Sequence, residues 1–222
     1  MDEAADEVVP EAAQVGVGPW VGPWPDDPRY DPALLAGGDA RNVADRFRYW
    51  TVDAIVAELD RTRQPFHVAI ENWGHDFNIG SVVRTANAFN AAGVHVVGRR
   101  RWNRRGAMVT DRYLHVHHHA SVADLASYAA AEGLVLLGVD NVAGAVPVET
   151  YDLPERCVLL LGQEGPGLSE PALAASAAVL AVTQLGSTRS LNAGAAAAVV
   201  MHAWVRRHVF GQRPSPSRRP LA

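Results

Sequence analysis

From residue 66 onward, short continuous apolar runs alternate with segments of helical periodicity, and this pattern restricts the fold more than anything else in the chain. The runs are FHVAIE, GVHVVG, LVLLGVD, CVLLLG and AAVLAVT. Helical patterns occupy roughly 79–91, 121–131, the short SEPALAAS stretch and about 192–209. Strands that are apolar on both sides must be covered on both faces. Helices between them supply that cover, and the result is a mostly parallel α/β sheet flanked by helices. In such sheets ligands bind beyond the carboxyl ends of the strands.

Upstream the character changes. Residues 1–40 hold nine acids and a single base, Arg29, a balance of −8. They also carry repeated Gly-Pro and Asp-Pro steps, and this composition predicts a disordered arm. Thr51 is placed to cap a helix from 52 to about 62, so 41–65 is expected to be a helical extension. The folded domain is expected over 66–211, followed by a basic tail over 212–222. With 48% hydrophobic residues, the chain has enough apolar side chains for one sizeable core.

Residues 41–222 hold 15 acids and 19 bases, a balance of +4, and every base is arginine. Arg99, Arg100, Arg101, Arg104 and Arg105 surround Trp102 in RRRWNRR. Clustered guanidinium groups beside an aromatic ring suit a phosphate backbone with an unstacked base. The single cysteine, Cys157, opens an apolar strand and reads as inert core. One cysteine excludes an intrachain disulfide and a thiolate-rich zinc site, and a cytoplasmic location is the simplest reading. No signal peptide and no membrane-length apolar run is found. HVHHH sets His115, His117 and His119 at alternate positions, a pattern that can hold zinc, but no thiol or acid lies beside it and no metal is expected.

Three polar, glycine-bearing loops fall at expected strand ends. The first begins N-I-G-S-V-V-R: Asn78 is placed to cap a helix, Gly80 allows close approach, and Arg84 lies near the positive end of the helix dipole, where anions gather. The second, GQEGPGLS, has glycines at 162, 165 and 167 and an acid, Glu164. The third, QLGSTRSLN, ends with Ser190 and Asn192 before a run of small residues that another backbone can approach closely. No G-x-G-x-x-G, Walker loop or nucleophile elbow follows a strand, which argues against other nucleotide-binding enzymes.

In the order N-x-G-x-x-x-R, G-x-E-x-x-G and S-L-N, these loops resemble the three motifs of the SpoU (TrmH) family of RNA ribose methyltransferases, in the SPOUT superfamily. The resemblance covers about 66–208. It implies a C-terminal deep trefoil knot, a homodimer, S-adenosyl-L-methionine as cofactor and methylation of a ribose 2′-hydroxyl in tRNA or rRNA. It further implies backbone around Val139, Gly162, Val182, Gln184 and Leu191 as the adenine pocket. Arg84 would be the catalytic arginine, with Asn78, Glu164, Ser190 and Asn192 positioning the site. Departures from the family pattern are HDFN before the first motif helix, Asn90 for a glycine, Thr183 for a proline, and Ala193-Gly194 after Asn192. Since arginine stays protonated at neutral pH, Arg84 is read as a phosphate clamp that stabilises negative charge rather than as a base; His75 is the other candidate for the base. The alternative is an RNA-binding protein of the same fold without transfer activity. RRRWNRR and the C-terminal arginines are the expected RNA contacts.

Overall fold

The computed structural model describes residues 16–74, 78–163 and 165–212. The chain divides into two compact units, with the boundary after Ile55.

In the first unit, residues 16–40 are ordered, unlike the disordered arm that their charge predicts. A short helix α1 (Pro32–Gly37) starts on Asp31, whose carboxylate accepts from Ala33 N. Residues 41–55 belong to the same unit rather than to a separate extension. Aromatic contacts explain the order: Trp20 meets Tyr49 and Tyr30 edge-on at 5.4 and 5.9 Å, and Trp50 meets Phe47 at 5.5 Å. Asp39 is fully buried, bound by the Arg41 guanidinium at 2.7 Å and by Tyr49 N at 2.9 Å. Burial alone raises its pKa, but Arg41 and the two amides more than reverse this and bring it to about 2. A few large rings and one paired charge thus offset the entropy that acidic composition alone does not. Helix α2 (Val52–Asp60) runs across the unit boundary.

The second unit is built on a seven-stranded parallel sheet. Its elements are β1 (Gln64–Asn72), α3 (Ile79–Ala88), β2 (Ala91–Gly98), β3 (Val116–His119), α4 (Val122–Ala131), β4 (Val135–Val139), β5 (Val146–Pro147), β6 (Cys157–Leu161), α5 (Glu170–Ala175), β7 (Ala178–Ala181) and α6 (Ala193–His208). The strand order is β3-β2-β1-β6-β4-β7-β5, and every pairing is parallel. The five expected strands are all present. β3 and β5 are added at the two edges, where a strand is buried less and carries a weaker apolar signature.

Alternation sends each strand's residues to two cores. Phe66, Val68, Ile70, Leu159 and Leu161 pack with α3 and α6, including Trp204. Ala69, Val158 and Leu160 pack with α4 and α5. Asn90 ends the α3 segment at φ 51°, the left-handed conformation expected of it. Cys157 is fully buried, and burial raises its thiol to about 12, so it is inert packing as expected.

The histidines form a ladder across the strands. His67 Nδ1 lies 2.9 Å from His95 Nε2, and His95 Nδ1 lies 2.8 Å from His119 Nε2. His117 stacks on His95, and Tyr128 of α4 touches all four rings. His115 is not part of this array; it pairs with Asp60 at 2.8 Å. Among the described residues no group of His, Cys, Asp or Glu is arranged to hold a metal ion. Burial first, then the neighbouring imidazoles, lowers His95 to about 2; burial, His117 and Arg156 lower His67 to about 4. Both lie below the unfolded value of 6.5, so the unfolded chain binds more protons at mildly acid pH. Stability from this ladder is complete above pH 6.5 and falls as pH drops toward 4. Urea titrations should show a loss on the order of 2–4 kcal/mol between pH 7 and pH 5; an unchanged midpoint and slope would contradict this.

Candidate active site

A cleft of about 340 Å³ opens at the carboxyl ends of β4, β6 and β7. Val139, Leu161, Leu180, Val182, Leu191 and Ala196 make its apolar walls, and Asp140, Asn141, Gln163, Gln184, Ser190 and Asn192 its polar rim. Val139, Gly162, Val182, Gln184 and Leu191, the residues that the motif resemblance assigned to an adenine pocket, all line this cleft. The side-chain oxygen of Gln184 is buried and has no hydrogen-bond partner among the described residues. Such an acceptor is costly unless a ligand supplies a donor.

The third motif meets the first. Asn192 caps α6, its Oδ1 accepting from Gly194 N and Ala195 N at 3.0 and 3.3 Å. Its Nδ2 donates to Asn78 Oδ1 at 2.9 Å, across 114 residues of sequence. Asn78 therefore does not cap α3 with its side chain, as its position suggested; that oxygen serves α6 instead. Ser190 is exposed on the cleft. Arg84 lies between one and two turns into α3. It is exposed and makes no ion pair or hydrogen bond with another described residue. It does not line the cleft. Glu164 and His75 lie outside the described residues.

The loops around the cleft are held by groups that the sequence reading missed. Glu71, at 1% exposure, accepts from Ser169 N and Ser169 Oγ at 2.8 and 2.7 Å and from Trp73 Nε1 at 2.8 Å. Gln163 Oε1 accepts from Trp73 N and Gly74 N. Asp140 Oδ2 accepts from Leu168 N at 2.7 Å, and Asn141 Nδ2 donates to Arg189 O at 3.0 Å. Each is a polar residue at or just past the carboxyl end of a strand. That position was a usable signal, but apart from Trp73 beside Glu71 the partners are 28 to 98 residues away in sequence and no local pattern names them.

The arginine segment lies beside the first motif. Buried Asn72 donates to Arg99 O and Arg101 O at 2.7 and 2.9 Å and so fixes the start of the segment. A methyl group on Gly80 would meet Ala107 N and Gly106 Cα at 2.7 Å, so the end of the segment rests directly on the first turn of α3. Arg99, Arg100, Arg101, Arg104 and Arg105 are all exposed, while Trp102 packs partly into the core under Arg104 at 5.4 Å. Arg104 also pairs with Asp111 at 3.0 Å. The arginine segment thus runs from the end of β1 to the first turn of α3.

Residues 65–202 match the SpoU rRNA Methylase family. The tRNA (guanosine(18)-2′-O)-methyltransferase of Escherichia coli (strain K12) is 26% identical over 153 residues, 67% of each chain. A protein of Mycobacterium ulcerans (strain Agy99) named an uncharacterized tRNA/rRNA methyltransferase is 30% identical over 207 residues, 90% of this chain and 66% of that one. The crystal structure of the SpoU methyltransferase AviRb from Streptomyces viridochromogenes in complex with AdoMet superposes with a TM-score of 0.61 at 26% identity, covering 69% of this chain and 65% of that one. The chain thus spans about two thirds of the length of the relatives it matches.

Proposed function

This chain belongs to the SpoU rRNA methylase family, and from that membership we propose that it methylates a ribose 2′-hydroxyl of a tRNA or rRNA with S-adenosyl-L-methionine. The observation that carries the reading is the Asn192–Asn78 hydrogen bond. It joins the cleft wall to the start of the helix that bears Arg84, so a donor site and a cationic RNA site share one border.

The residues present fit that cofactor. The walls from Val139, Leu161, Leu180 and Val182 suit a flat purine, and the unpartnered Gln184 oxygen suits an amino group. S-adenosylmethionine, when bound, supplies a methyl group on a positively charged sulfur. The chain's own contribution is position and charge. Asn78 and Asn192 fix the junction of α3 and α6, Ser190 offers a hydroxyl at the rim, and Glu164 belongs to the same loop as Gly162. Among the described residues Arg84 has no hydrogen-bond or ion-pair partner to give up before it binds an anion. It grips a phosphate next to the target ribose and stabilises negative charge as the 2′-oxygen loses its proton. Holding that oxygen in line for transfer supplies much of the remaining rate.

The family's deep trefoil knot and homodimer are part of the same proposal. The loops that such a knot would bring together are hydrogen-bonded: Asp140 with Leu168, Asn141 with Arg189, and Glu149 with Thr183. Among the described residues no helix is long and apolar enough to cross a membrane, and an RNA substrate accords with a cytoplasmic enzyme.

Calorimetric titration with S-adenosylmethionine, followed by mapping of 2′-O-methyl sites in tRNA and rRNA treated with the purified protein, tests the reading. Saturable binding and a new methylated ribose are expected. Binding of RNA without binding of the cofactor would favour the RNA-binding alternative.

A further inference from the structure

Trp73 stands where β1 gives way to the first motif, and it is 37% exposed. It is held unusually firmly for an exposed ring. Its indole N–H donates to the buried Glu71 carboxylate at 2.8 Å, and its backbone N–H donates to Gln163 Oε1 at 3.2 Å. The six-membered part of the ring lies on Gly98, where φ is +102° and an added methyl group would sit 2.7 Å from the ring. Only glycine leaves room for the indole there. The next residue begins the arginine segment, and Arg99 itself donates to Gly74 O at 3.3 Å. Arg100 and Arg101 follow, exposed and without an ion pair to a described residue. The ring's polar edge and one side are therefore committed to the protein. Its remaining apolar surface is open to solvent beside arginines that make no ion pair with a described residue.

We propose that Trp73 is a stacking platform for one unpaired nucleobase of the RNA, with Arg99, Arg100 and Arg101 taking the adjoining phosphates. This rests on the reading of the protein as an RNA methyltransferase and adds a subsite to it. Stacking needs a flat π-face that is already in place, and the Glu71 and Gln163 bonds provide one without reordering on binding. Phosphate contacts alone give affinity for any polyanion; a stacked base makes the affinity specific to nucleic acid.

Filter binding of bulk tRNA and rRNA, with inorganic polyphosphate as a base-free polyanion, tests it. Trp73→Leu keeps apolar packing on Gly98 and removes the aromatic face; Trp73→Phe keeps a face. The leucine variant should bind RNA about ten- to hundredfold more weakly and the phenylalanine variant within about threefold of wild type, while all three bind polyphosphate equally. S-adenosylmethionine titration confirms that each variant is folded. Should the leucine variant fail to fold, RNA must still quench wild-type fluorescence more than that of Trp73→Phe, and polyphosphate must not. Equal RNA affinities for leucine and phenylalanine variants, or an equal loss on polyphosphate, overturn the platform alone. A wild-type protein that binds no RNA overturns both the platform and the functional reading.

Discussion

Arg84→Ala is expected to lower the methylation rate about a hundred- to thousandfold while leaving S-adenosylmethionine affinity within about twofold. The rate loss is the usual consequence of removing one preorganised charge from a developing oxyanion. The cofactor arm follows from position: Arg84 is on α3 and is not among the residues that line the cleft. Arg84→Lys should recover only part of the rate, because an ammonium lacks the planar fork that engages two phosphate oxygens. Single-turnover rates at saturating RNA, beside calorimetric cofactor titrations, separate these effects. A rate for the alanine variant within tenfold of wild type would remove Arg84 from the catalytic step.

Gly162→Ala should do the reverse and act on the cofactor. An added methyl group at Gly162 overlaps the backbone of Gly167 and Leu168, so neither a rotamer change nor a side-chain shift relieves the contact. The loop must open, and the paired bonds between Gln163 and Gly167, both 3.0 Å, open with it. Overpacking of this kind costs about 1–3 kcal/mol. Because the loop forms one wall of the cleft, that cost falls on binding, and cofactor affinity should drop roughly ten- to hundredfold. Leu168 also belongs to the core that packs with α4 and α5, so the melting temperature should fall too, by roughly 2–4 °C per kcal/mol. Unchanged cofactor affinity would mean that the loop plays no part in binding.

The sheet was legible because β1, β2, β4, β6 and β7 are buried on both faces and leave uninterrupted apolar runs. β3 was harder to read, since VHHH offers imidazoles where a core strand offers aliphatics. His119 is nonetheless buried and bonded to His95, while His117 and His118 are half-buried and His118 Nε2 meets Gly98 O. Residues 16–40 of the expected arm were hard to read for a related reason, and residues 1–15 lie outside the described residues. Net charge and proline content describe an average, whereas order there depends on a few specific contacts among Trp20, Tyr30, Tyr49 and Trp50. In the cleft, Val139, Gly162, Val182, Gln184 and Leu191 were named through the family resemblance rather than from any local pattern, and they line it. Their supports were not named. Glu71 read as the end of a strand, and only the fold shows that it binds Ser169, 98 residues later.

The bond between Asn78 and Asn192 also bears on how the protein is made. The first motif leaves the ribosome more than a hundred residues ahead of its partner, and six strands, β2 to β7, must still emerge before the two can meet. A nascent chain therefore carries its arginines exposed while it has no complete donor pocket, and it can touch RNA without modifying it. On the proposed function, a chain cut short before Asn192 would keep the arginine segment but lack this junction.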